Sequence, residues 1–118
     1  MDKKLSVLAV AFAVLAFTQL AHAQQAGKVA RIGYLEANPL SKSRAKSEAF
    51  LQGLRALGYV EGKNITIEWR SAEGKRARLP SLAAELVRLK VNVIVTAGAS
   101  TTRAAKKATS KIPIVIAQ

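Results

Sequence analysis

The segment best suited to chemistry is Ala97-Gly98-Ala99-Ser100-Thr101-Thr102, which follows the β-branched run Val91 to Thr96. It sets small residues and three hydroxyls at what reads as the start of a helix. Free backbone N–H groups and the helix dipole make such an end attractive to a carboxylate or phosphate. Gly98 lets the backbone approach a ligand closely. A second loop, Glu36-Ala37-Asn38-Pro39-Leu40-Ser41, supplies polar groups after the first apolar run. The expected ligand-binding set is therefore Asn38, Ser41, Gly98, Ser100, Thr101 and Thr102; Asn38 and, outside the set, Glu36 are the weaker candidates, since any loop contains such residues. The competing reading is structural: Ser100 or Thr101 only caps the helix, and Gly98 only makes the turn.

Catalytic chemistry has little to work with. The only His (His22), Met (Met1) and Asp (Asp2) all fall within the first 23 residues, and the chain has no Cys. Beyond residue 23 there is no Ser-His-Asp triad, no His or Cys zinc site and no aspartate pair. Acid–base work would rest on Glu, Lys or Tyr alone. No catalytic residue, metal or cofactor is expected.

The first 23 residues read as a targeting segment. Met1-Asp2-Lys3-Lys4 is a charged opening, Leu5 to Phe17 is apolar apart from Ser6, and Ala21-His22-Ala23 is a small-x-small site. These are the parts of a secretory signal peptide. A membrane span needs about 20 apolar residues, and Gln19 and His22 interrupt the run. Cleavage after Ala23 is expected, leaving residues 24–118 with 17 Lys+Arg against 6 Glu. No cysteine stands at the cleavage point, so no lipid anchor and no direct membrane attachment are expected after cleavage.

The elements that must position these loops alternate strand and helix. Val29 to Leu35 is largely apolar and reads as a strand. Phe50, Leu54 and Leu57 recur at helical spacing within Ser43 to Leu57, and Gly58 stops that helix. Asn64 to Arg70 alternates strictly, with Ile65, Ile67 and Trp69 on one face, which predicts a half-buried strand at a sheet edge. Leu79, Leu82, Leu86 and Leu89 form the stripe of a second helix, with Pro80 in its first turn. Val91 to Thr96 is a buried strand. Thr101, Ala104, Ala105 and Ala108 mark a third helix, and Ile112 to Ile116 a fourth strand.

The order β-α-β-α-β-α-β with short connections implies an α/β fold: a parallel sheet with helices on both faces, a three-layer sandwich. For strand order 2-1-3-4 the chain reverses direction across the sheet between strands one and three. Ligands sit there, beyond the carboxyl ends of the strands, which is where the two loops meet. The chain ends directly after a buried-type strand, so we expect an N-terminal fragment rather than a complete four-stranded domain.

Two nucleotide readings fail on the residues. A dinucleotide fingerprint needs G-x-G-x-x-G after strand one, where the text is Gly33-Tyr34-Leu35-Glu36-Ala37-Asn38. Gly62-Lys63-Asn64 and Gly74-Lys75-Arg76 do not complete a phosphate-binding loop. The formal charge of +12 raises nucleic acid as a partner. The lysines and arginines are scattered and not interleaved with aromatics, so the charge reads as solvated surface and no nucleic-acid partner is expected.

Ile32-Gly33-Tyr34-Leu35, Phe50-Leu51-Gln52-Gly53-Leu54-Arg55 and Leu57-Gly58-Tyr59-Val60-Glu61-Gly62-Lys63-Asn64-Ile65 form a series. Glu68-Trp69-Arg70, Ala72-Glu73-Gly74, Arg78-Leu79-Pro80, Leu82-Ala83-Ala84-Glu85-Leu86-Val87 and Ile112-Pro113-Ile114-Val115 continue it. Together they resemble ABC-transporter substrate-binding proteins of the type I periplasmic-binding fold, related to tryptophan/tyrosine uptake components. The resemblance implies a two-lobed protein with its ligand between the lobes. This chain would supply the first part of lobe one, a flavodoxin-like sandwich. It implies a periplasmic solute-binding component that delivers a small solute, with amino acids the best-supported class, to an ABC permease in the inner membrane. The family often has Gly-Thr-Pro where this chain has Gly98-Ala99-Ser100, and an apolar residue near Arg103. The rival readings are an exported α/β enzyme whose catalytic residues lie further along, and a ligand-sensing domain of the same fold.

Overall fold

The computed structural model describes residues 29–117, so the expected signal peptide lies outside the described residues. Four strands, β1 (Ala30–Glu36), β2 (Ile65–Ser71), β3 (Val93–Ala97) and β4 (Ile114–Ile116), form one sheet in the order β2-β1-β3-β4. All pairs are parallel, with Tyr34 opposite Trp69 on one side and Val95 on the other. Three helices connect them: α1 (Arg44–Ala56), α2 (Leu79–Arg88) and α3 (Ala99–Ala108). A single 3₁₀ turn, Arg76–Arg78, leads into α2. The expected order 2-1-3-4 and the edge position of the alternating strand are both found.

Alternation along β1 divides the core. Ala30, Ile32 and Tyr34 face α1 and pack with Leu54, Ile65, Ile67, Val93 and Val95. Leu35 faces the opposite way and packs with Leu79, Leu82, Leu86, Ile94, Ala104 and Ala105 under α2 and α3. The small stripe of α3 lets that helix lie close to both β3 and α2. Gly33 serves the same end on β1, because a Cβ there would stand 2.9 Å from Leu86 Cδ2.

The expected boundaries shift by one to three residues. The first strand starts at Ala30 and runs on through Glu36; the third starts at Val93. The fourth begins only at Ile114, after Pro113, whose carbonyl accepts from the Ile94 N–H at 2.9 Å. Proline lacks a donor for the ladder, so the strand starts beyond it. The Tyr59–Asn64 turn is closed by Asn64, whose side chain donates to Gly58 O at 2.8 Å and accepts from the Val60 N–H at 2.7 Å. At the sheet edge, Arg70 bridges Glu85 of α2 at 3.2 Å and Glu68 at 3.5 Å, pinning β2 to that helix.

Candidate solute-binding rim

The carboxyl ends of the strands carry three loops, and the first two are tied together. Ala72 N–H donates to Glu36 O at 2.9 Å, Gly74 N–H to Ala37 O at 2.7 Å, and the Ser71 hydroxyl to Asn38 O at 2.7 Å. The second loop turns through Ala72–Lys75, closed by a 2.9 Å bond from Lys75 N–H to Ala72 O. Glu73 and Gly74 both take positive φ there, as in a type I′ turn. Asn38 is thus exposed but fixed by its backbone. Ser41 is exposed in the turn before α1, and neither residue lines the groove beside the Gly98 turn.

The third loop departs from expectation in its capping. Gly98, at φ 110° and ψ 170°, is the N-cap of α3, and no side chain caps that end. Thr101 and Thr102 donate their hydroxyls backward to Gly98 O, at 2.9 and 2.8 Å. Thr102 Oγ1 also lies 2.7 Å from Thr96 Oγ1 in the buried layer beneath. Both threonines are buried. Their hydroxyls therefore serve the fold, a local back-bonding that Thr adopts readily within a helix. Ser100 is the only one of the three hydroxyls with no bond inside the described structure. The first-turn N–H groups of Ala99, Ser100 and Thr101 have no intrahelical acceptor.

Beside this turn lies a groove of about 690 Å³, lined by Gly98 and Thr102, by Lys46 of α1, and by Arg103, Lys106 and Lys107 of α3. None of the four cations forms an ion pair among the described residues. Ile116 adds an apolar wall and is 49% exposed. The basic charge is therefore not evenly scattered. The acids Glu68, Glu73 and Glu85 are paired on the β2–α2 side, and this rim is left cationic. The arrangement can hold an anionic group by backbone donors, dipole and charge. Sequence reasoning missed Lys46, since nothing in the linear chain places the start of α1 beside α3.

It also set aside Glu36, which the structure buries to 3% exposure at the end of β1. One carboxylate oxygen accepts from the Asn38 N–H at 3.1 Å. Two residues back, the Tyr34 ring packs between Phe50 and Trp69, with ring centroids 5.3 and 4.8 Å away. Burial, and then the charge of Glu36, push the Tyr34 phenol above its ordinary value. The alternation that puts Tyr34 inside puts Glu36 on the same face, and that signal was available in the sequence.

A profile described as ABC transporter substrate binding protein matches residues 28–118. The chain belongs to this family. No curated protein matches. Among solved structures, a conserved domain protein from Vibrio cholerae is 31% identical with a TM-score of 0.71, over 75% of this chain and 30% of that one. The ligand-free, open structure of a substrate binding protein with adhesive properties from Clostridium difficile is 27% identical, with a TM-score of 0.70 over the same shares. An ABC domain in complex with L-Trp from Streptococcus pneumonia is 20% identical, with a TM-score of 0.68 over 74% and 29%. The chain thus spans about 30% of the length of the solved structures it matches. The family is a substrate-binding, non-enzymatic type whose members typically work outside the cytoplasm with an ABC permease as partner. No helix among the described residues is long and apolar enough to cross a membrane.

Proposed function

We propose that residues 24–118 form the N-terminal part of lobe one of a periplasmic solute-binding component of an ABC importer, and that its solute carries an acidic group held at the Gly98–Thr102 turn. An amino acid is the solute class this reading favours, on the strength of the sequence resemblance to tryptophan/tyrosine uptake components. The observation that carries the reading is the glycine-capped start of α3. Its first-turn donors are unoccupied, Ser100 is uncommitted, and the groove beside it is cationic. A side-chain cap would have consumed those donors internally. Lys46 and Arg103 are exposed, so they draw an anion in more than they fix it.

Binding is tested on the full-length protein by calorimetry against the twenty common L-amino acids. Ser100→Leu is expected to weaken the best binder by roughly ten- to a hundredfold, the equivalent of a charge-assisted hydrogen bond of about 1.5–3 kcal/mol. Thr66→Leu, exposed at the amino-terminal end of the edge strand β2 and away from the carboxyl ends that carry the loops, is expected to leave affinity unchanged. Equal affinities in the two folded variants would reduce Ser100 to a helix-start residue without a ligand.

Export is checked separately. Mass spectrometry of protein from the periplasmic fraction is expected to find Gln24, or its pyroglutamate, as the first residue. An intact Met1 in that fraction would remove the signal-peptide reading.

A further inference from the structure

Glu36 is a buried acid that the fold leaves without a counter-ion. It forms no ion pair among the described residues, and the single hydrogen bond to its carboxylate is the one from the Asn38 N–H. An ionised carboxylate offers about four acceptor positions, so most of its capacity is unused. Burying such a charge without a cation or further donors is costly. A second polar group stands two residues back on the same strand. The Tyr34 hydroxyl is fully buried and has no partner. Both side chains project from the same face of β1, and no bond joins them. The core layers beneath are apolar and supply no cation: Ile32, Val93 and Val95 line that face.

We infer that Glu36, assisted by the Tyr34 hydroxyl, is the seat of an ammonium group on the solute. This rests on the reading that the same rim binds the acidic group of an amino acid. An ammonium brings three donors and one positive charge. It therefore serves the carboxylate and the phenol oxygen together, and it cancels the charge, which a neutral donor would not. Placement agrees with an α-amino acid. Glu36 is the register partner of Ala97, one residue before Gly98. Neighbouring strands lie about 4.8 Å apart, so the ends of β1 and β3 stand within reach of one small solute. Glu36 is the last residue of β1, at the carboxyl edge of the sheet, and its carboxylate is bonded to the N–H of exposed Asn38.

The test uses Glu36→Gln, which keeps the shape and an acceptor for Asn38, and Tyr34→Phe. Calorimetry on the full-length protein compares the best-binding L-amino acid with its des-amino carboxylic acid. Wild type is expected to bind the des-amino probe ~10- to 100-fold more weakly. Glu36→Gln is expected to lose the same factor for the amino acid and nothing for the des-amino probe. Tyr34→Phe should show the same selectivity with a smaller loss. Equal loss for both probes makes Glu36 a loop support and overturns the inference. So does wild type binding the two probes equally, or binding no amine-bearing probe at all. If Ser100→Leu has no effect while Glu36→Gln acts on the amine alone, the acid seat fails and the ammonium seat stands. Melting curves of both variants confirm that they are folded.

Discussion

Gly98→Asp is expected to weaken binding of an acidic solute by about a hundredfold or more, because the variant supplies from within what the solute supplies from outside. An aspartate at the N-cap accepts from the N–H groups of the first turn and places a negative charge on the helix end. The incoming anion then loses its donors and meets a like charge. Two hydrogen bonds to charge at about 1.5–3 kcal/mol each account for at least a hundredfold. Gly98 also sits at φ 110° and ψ 170°, a region that only glycine occupies freely. Any side chain there costs stability, of order 1–3 kcal/mol. Gly98→Ala carries that strain without the carboxylate and is the control. Both variants should melt earlier than wild type by similar amounts, and only the aspartate should lose affinity. Matching affinities in the two, measured by calorimetry below their melting temperatures, would move the acid seat away from α3.

The largest loss of stability is expected from Leu86→Ala, about 2–5 kcal/mol by urea denaturation. Leu86 is fully buried and its side chain fills the space over Gly33. Removing it leaves a cavity between α2 and β1 in a close-packed layer. Gly33→Ala is expected to cost about 1–3 kcal/mol for the opposite reason, since its new methyl would stand within 3.0 Å of both Leu86 methyl carbons. The double variant should be more stable than the sum of the two losses predicts, because the added methyl enters the space that the leucine vacates. Simple additivity would show that α2 relaxes away from the sheet as a unit.

Much of this architecture is legible in the linear chain. The i, i+3, i+7 recurrence of Leu79, Leu82 and Leu86 and the strict alternation of Ile65, Ile67 and Trp69 report local geometry, because a helix and a strand each repeat over a few residues. Short connections and right-handed crossovers then leave few ways to order four parallel strands, 2-1-3-4 among them. The loop carrying Gly98 could likewise be placed at the strand ends from order alone. What the linear text could not show is which polar groups are already spent. Three hydroxyls at residues 100–102 look equivalent as letters. The folded chain assigns two to Gly98 O and one of those also to Thr96, and leaves only Ser100 uncommitted. The meeting of Lys46 with Arg103 at one groove, and the lack of an ion pair at Glu36 among the described residues, depend on elements far apart in sequence. Local periodicity determined the elements and their order, because each needs only its neighbours in sequence. Only the tertiary structure decided which donors, acids and cations remain free, because satisfaction of a polar group depends on everything that packs against it.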